Sequence, residues 1–152
     1  MNKIAPSAST IQDGRHRLPI RVYYEDTDSG GVVYYANYLR FAERARTEML
    51  REIGSEHRVM KEELGIGFVV RQCNADYQKP AFLDDQLVVE TEILAVRGAS
   101  IQMRQTVTKD NEALVVMDVK LACMSFDGSA ARIPKPVRMA MTELSISKSE
   151  DK

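Results

Sequence analysis

The chain has 152 residues, with 21 Lys and Arg against 22 Asp and Glu and a formal net charge of -1. That length suits one domain with one core, and so even a balance excludes a global field for nucleic acid or an anionic membrane, leaving only local basic contacts. Cys73 and Cys123 lie in apolar, strand-like runs without CxxC or Cys/His ligand spacing, and the chain has neither a membrane-length apolar run nor a signal-like N-terminus; buried thiols, a reducing compartment and a cytoplasmic location are expected.

Residues 1–17 are small, polar and aperiodic, and 146–152 are similar, so both are expected to be loose around a single domain over 18–145. "LPIRVYYE" is rich in β-branched and aromatic residues and reads as a first strand. From Tyr35 to Ile53, the residues Tyr38, Ala42, Ala45, Met49 and Ile53 recur at helical spacing, and Gly54 supplies the stop. Arg40, Glu43, Arg44, Glu48 and Arg51 fill the other side and read as a solvated face. A short helical or loop segment around 56–64 follows, and then the period changes to two. "FVVRQCNADYQ", "QLVVETEILAV", "IQMRQTVT" and "ALVVMDVKLACMSF" are strands joined by the turns "PAFLDD", "RGAS" and "KDNE". Val137, Ala140, Met141 and Leu144 allow a short last helix. The fold class is therefore α+β, one long helix on an antiparallel sheet of about five strands. A single helix covers one sheet face, and the later strands carry few charges, so another copy of the chain is expected on the remaining surface.

"YYEDTDSGGVVYYANY", Tyr23 to Tyr38, joins the first strand to the long helix and concentrates the chemistry-bearing residues. "DSGG" resembles a serine-protease nucleophile motif, but Thr27 stands where that motif has glycine, and the two histidines, His16 in the polar leader and His57 in a charged loop, read as solvated. Asp26-x-Asp28-x-Gly30 resembles the start of a calcium loop, yet its twelfth position is Asn37 instead of glutamate. "DTD" after a strand also matches phosphatase nucleophiles, which require a parallel α/β sheet that this chain lacks.

The same stretch can perform acyl-transfer chemistry. Gly30 and Gly31 permit a tight bend and a close ligand approach, and a helix start offers unpaired N–H groups to a developing oxyanion. An acid just before it could attack a carbonyl or activate a water. The spacing alone favours a second reading, in which Asp26 and Asp28 stabilise a turn and cap the helix.

"RVYYEDTDSGGVVYYANYLRFAERARTEML" resembles the signature of the hotdog-fold acyl-CoA thioesterases of the 4-hydroxybenzoyl-CoA thioesterase family, most closely their YbgC-type, Tol-Pal-associated branch. The likeness continues through "FVVRQCNADYQKPAFLDDQLVVETEI", "VRGAS" and "ARIPKP", from about Leu18 to Val137. It implies a long helix wrapped by a sheet, a homodimer or homotetramer, an acyl-CoA substrate, and no metal or redox cofactor. By position, the catalytic acid falls on Asp28, with Asp26 a structural neighbour and the Tyr35 main-chain N–H polarising the carbonyl. Gly30 and Gly31 shape the approach, and Arg97 and Ser100 bind coenzyme A phosphate, a task suited to the arginine fork. YbgC-type members commonly carry His where this chain has Tyr35. A dehydratase would pair a histidine with an acid near the motif, and neither His16 nor His57 lies there. The alternative function is a non-catalytic acyl-CoA or acyl-carrier-protein binding scaffold with envelope or lipid-synthesis partners.

Overall fold

The computed structural model describes residues 8–54 and 57–150. Strand β1 (Thr10–Gln12) pairs with β2 (Arg15–Arg21), and a 3-10 turn (Tyr24–Asp26) leads into helix α1 (Asn37–Glu52). A short helix α2 (His57–Val59) and a π-helical turn (Met60–Leu64) precede β3 (Ile66–Tyr77), β4 (Gln86–Val96), β5 (Ser100–Lys109) and β6 (Glu112–Ser125); α3 (Lys135–Glu150) follows. The strands form one six-stranded sheet in the order β1-β2-β4-β5-β6-β3, with every pairing antiparallel.

Alternation sets the layers. Leu87, Val89 and Ile93 of β4, Ile101, Met103 and Val107 of β5, and Val115, Met117, Val119, Leu121 and Cys123 of β6 are all buried on one face. On that face α1 buries Tyr38, Phe41, Ala42, Ala45, Met49 and Leu50. It packs across β2, β4 and β5, where the two alanines allow close approach, while α3 packs against β4 and β2. Ile53, expected on the buried stripe, is only half-buried, because the helix ends at Glu52 and Gly54 turns away with φ +81°.

Three boundaries differ from the sequence reading. The sheet begins at Thr10, within the segment expected to be loose, because Asp13 (φ 55°) and Gly14 (φ 72°) make a tight hairpin turn. The helix α3 runs to Glu150, through most of the tail expected to be loose; residues 1–7 and 151–152 lie outside the described residues. Helix α1 starts at Asn37 and not at Tyr35, since the Asn37 N–H closes a turn on the Tyr34 carbonyl at 2.8 Å and Ala36 has no side chain to cap with.

The outer sheet face is also more charged than expected. Arg104 pairs with Asp118 and Arg17 with Glu90 on it. The uncovered apolar surface lies instead on the inner side of edge strand β3. Val70 and Tyr77, in register with buried Leu121 and Val115, remain 48% and 44% exposed because α1 stops short of covering them.

Candidate active site at the start of the long helix

Asp26 ties the loop between β2 and α1 together. It is 8% exposed. Its Oδ2 accepts the Tyr23 N–H at 2.8 Å and its Oδ1 accepts Asn37 Nδ2 at 2.7 Å, while its carbonyl accepts the Tyr34 N–H at 2.9 Å. One residue thus joins the beginning of the loop to the first residue of the helix.

Asp28, two residues on, is exposed. Its N–H bonds the Val32 carbonyl at 2.9 Å and its carbonyl accepts the Gly31 N–H at 3.1 Å, closing a tight turn in which Gly31 takes φ +80°. Oδ1 accepts the Gly30 N–H at 2.8 Å. A Cβ at residue 30 would stand 3.3 Å from that oxygen, so glycine lets the carboxylate lie against the main chain. Oδ2 has no protein partner among the described residues. The turn is held from behind by the 80–85 loop: Val33 N–H bonds Ala81 O at 2.9 Å and Leu83 N–H bonds Gly31 O at 3.2 Å.

Tyr35 stands beside this turn, 62% exposed. Its backbone N–H has no acceptor among the described residues, the condition for a donor reserved for a ligand. Its ring meets Tyr34 at 5.0 Å and Tyr77 of β3 edge-on at 6.1 Å; Tyr77 in turn lies 5.8 Å from Tyr38. The Tyr38 hydroxyl accepts the Ala81 N–H at 3.1 Å, joining this aromatic wall to the same loop. Burial raises the phenol pKa of both Tyr38 and Tyr77, so both stay protonated at neutral pH.

The expected site residues separate into two groups. Asp28, Gly30, Gly31 and Tyr35 come together, as above. Arg97 and Ser100 form the β4–β5 turn, where the Arg97 N–H bonds the Ser100 carbonyl at 2.8 Å. That turn is at the far end of β4 from the Asp28 loop, about 33 Å along the strand. Arg132 stands beside the same turn, its guanidinium 3.9 Å from where a Gly98 Cβ would be, and the Ile133 N–H bonds the Gly98 carbonyl at 2.8 Å. Sequence reading missed Asn37, Tyr77 and Arg132 as site-forming residues. Asn37 alone carried a local signal, a side-chain amide at a helix start eleven residues from a buried acid.

His16, read as solvated, is fully buried. Its Nε2 lies 2.5 Å from Ser9 Oγ and 3.4 Å from Glu52 Oε2, and its Nδ1 has no partner. It belongs to the scaffold at the far end of α1. Among the described residues, no group of three or more His, Cys, Asp or Glu side chains is placed to hold a metal ion, and no helix is long and apolar enough to cross a membrane.

A cavity of about 340 Å³ lies away from Asp28, between α1, β3 and α3. Met49, Leu50, Phe68, Val70 and Met141 contribute its apolar wall, with Glu43 and Arg46 as its charged members.

Known proteins resemble this chain in sequence and fold. The family model of the thioesterase superfamily matches residues 30–116. The acyl-CoA thioesterase YbgC of Haemophilus influenzae is 44% identical over 133 residues, covering 87% of this chain and 98% of the relative. Among solved structures, a probable thioesterase from Bartonella henselae superposes with a TM-score of 0.77 at 35% identity, covering 79% of this chain and 99% of the other. A 4-hydroxybenzoyl CoA thioesterase mutant complexed with 4-hydroxybenzoyl CoA superposes with a TM-score of 0.78 at 25% identity, covering 84% of this chain and 98% of the other. The chain belongs to the thioesterase superfamily, with the hotdog fold, among its YbgC-type acyl-CoA thioesterases.

Proposed function

We propose that the protein hydrolyses acyl-CoA thioesters to a free acid and coenzyme A, with Asp28 as the catalytic acid and the Tyr35 N–H receiving charge on the carbonyl oxygen. The observation that carries this reading is the pairing at the start of α1. A carboxylate held on one oxygen by the Gly30 N–H, with the other oxygen unpartnered, shares a clamped loop with an unpartnered backbone donor. Desolvated by a bound substrate, that donor would be worth about 10²–10³ in rate. Two routes balance. Asp28 attacks the carbonyl, the C–S bond breaks, and water then cleaves the mixed anhydride; or Asp28 takes a proton from water as that water attacks, and the proton leaves on the coenzyme A thiol. Neither route uses a metal or redox cofactor.

The same reading requires a second copy. In one chain Arg97 and Ser100 are too far from Asp28 to hold the phosphates of a thioester lying over Tyr35. Edge strand β3 is long, carries no lysine and has an uncovered inner side, features that favour pairing with another β3. Antiparallel pairing about its middle would set Tyr77 of one copy opposite Ile66 of the other. A homodimer, or a homotetramer made from two, is therefore part of the proposal. Cys73, expected to be buried, is exposed, whereas Cys123 is buried; both are free thiols, which fits the cytoplasm as the location.

The test follows thiol release from a series of acyl-CoA esters, with chain mass measured by light scattering. The reading expects turnover by the parent, its loss in Asp28→Asn with acyl-CoA binding retained, and a mass at least twice that of one chain. Equal turnover by the two proteins removes Asp28 from its role. Binding without turnover by either favours the acyl-binding scaffold instead.

A further inference from the structure

Arg46 is an unusual residue to find on the inner stripe of α1. It is 9% exposed and lines the cavity between α1 and β3. Its one hydrogen bond among the described residues runs from Nη1 to Gln105 Oε1 at 2.9 Å. Gln105 is itself fully buried, and its amide nitrogen donates to the Ala42 carbonyl at 2.9 Å and to Thr91 Oγ1 at 3.0 Å, so its oxygen is left to face the arginine. A guanidinium has five N–H donors, and here a single neutral acceptor meets them. No carboxylate among the described residues lies within ion-pair distance of Arg46. Neither Nε nor Nη2 of Arg46 is a sealed-off buried atom, so the remaining donors keep access to the cavity.

Burying a cation this far without a counter-charge is unfavourable unless something else compensates. Desolvation draws the Arg46 pKa below its ordinary value, with the nearby Glu43 charge acting in the opposite direction. Glu43 is exposed and does not pair with it directly. The rest of the wall is apolar: Met49, Leu50, Phe68, Val70, Met103, Leu121 and Met141. A cavity apolar but for Glu43 at its exposed edge and one buried, fork-shaped cation fits a ligand that is hydrocarbon along its length and carboxylate at its tip.

We infer that this cavity receives the far end of the acyl group, and that Arg46 selects an acyl group ending in a carboxylate, the monothioester of a dicarboxylic acid. The inference rests on the thioester-hydrolase reading and adds the substrate class to it. Arg46 is nine residues past Asn37, about 14 Å along the helix axis. An extended chain advances about 1.2 Å per bond, which sets the scale at about ten to twelve carbons.

The experiment compares kcat/KM for dicarboxylic acyl-CoA esters with that for unsubstituted esters of the same length, over about eight to fourteen carbons. The parent should prefer the dicarboxylic series by about tenfold to a hundredfold. Arg46→Met should lose that preference or reverse it while still hydrolysing the unsubstituted esters, Arg46→Lys should keep part of it, and Glu43→Gln should increase it. Saturable binding of the free dicarboxylic acid to the parent, absent for the matching monocarboxylic acid, is expected as well and needs neither turnover nor a variant. A parent that hydrolyses both series without preference overturns the inference and leaves the hydrolase reading standing, as does an unchanged preference in Arg46→Met. A parent inactive on every thioester overturns the hydrolase reading itself, and the free-acid binding result then decides the cavity separately.

Discussion

The two ends of α1 handle ionisable groups in opposite ways. At its start, Asp28 is exposed and bonded on one oxygen only. At its end, His16 is fully buried against Ser9 and Glu52, with one ring nitrogen unpartnered. The first end leaves a charged group open to a ligand at little cost to the fold; the second commits a titratable group to the fold and leaves nothing for a ligand to reach. Chemistry can therefore be removed at one end without unfolding the chain, whereas a change of protonation at the other should loosen it. Asp28→Asn is the sharpest test of the contrast. Turnover on acyl-CoA should fall about 10²–10⁴-fold, with the urea midpoint shifted only slightly because the Gly30 N–H keeps an oxygen to bond. A large loss of stability in this variant would break the contrast.

The opposite result is expected at the other end. Burial lowers the His16 pKa from 6.5 to about 4, against a smaller raising influence from Glu48. Between those values the unfolded chain binds a proton that the folded chain refuses, so stability falls as pH falls from 6.5 and the full loss is reached near pH 4. The loss amounts to roughly 3 kcal/mol. Urea unfolding from pH 7 to pH 4 checks it. His16→Gln should flatten that part of the profile, leaving the carboxylate contributions, while turnover at pH 7 changes little.

The sequence disclosed these two ends unequally. The α1 stripe was legible because Tyr38, Ala42, Ala45 and Met49 recur at a period set by the helix itself. The Asp28 turn was legible because an acid, paired glycines and a helix start are adjacent in the chain. His16 was misread because its segment is polar in composition; the local signal that mattered was Asp13-Gly14, whose left-handed backbone folds β1 onto β2 and carries His16 under α1. Tyr77 gave no sign of its role, since only the path of β3 brings it to Tyr35, 42 residues earlier in the chain. Arg46 did leave a trace, as a charge four residues after Ala42 on an otherwise apolar stripe. Arg97 and Ser100 illustrate the converse case. A resemblance assigned them to the coenzyme A phosphates, and the topology of one chain sets them at the other end of β4 from Asp28.

Within the start of α1, a smaller version of the contrast separates the two aspartates. Asp26 accepts from the Tyr23 N–H and from Asn37 Nδ2 while nearly buried. In Asp26→Asn the new amide cannot accept from both donors with both of its atoms, so one buried donor loses its partner. Unfolding free energy should fall by about 2 kcal/mol, measured in urea at pH 7. Turnover should fall as well, by less than in Asp28→Asn, because the loop that positions Asp28 has lost one of its ties.

The smallest effect should come from Gly31, and it separates backbone strain from loss of the acid. Its φ of +80° lies where an L side chain is strained, yet a Cβ there would meet no atom within 4 Å. Gly31→Ala therefore adds strain without a clash, and about 1 kcal/mol of stability should be lost. The turn can relieve that strain only by rotating residue 31 toward negative φ, which breaks the Gly31 N–H bond to the Asp28 carbonyl and the Leu83 N–H bond to the Gly31 carbonyl. If the turn holds its shape, the loss appears in the urea midpoint and kcat is nearly unchanged. If it rotates, kcat falls as well, because the carboxylate is displaced, and the loss of stability then comes from the two broken hydrogen bonds instead of from strain. Measuring both quantities on the one variant shows how firmly the 80–85 loop holds Asp28 in place.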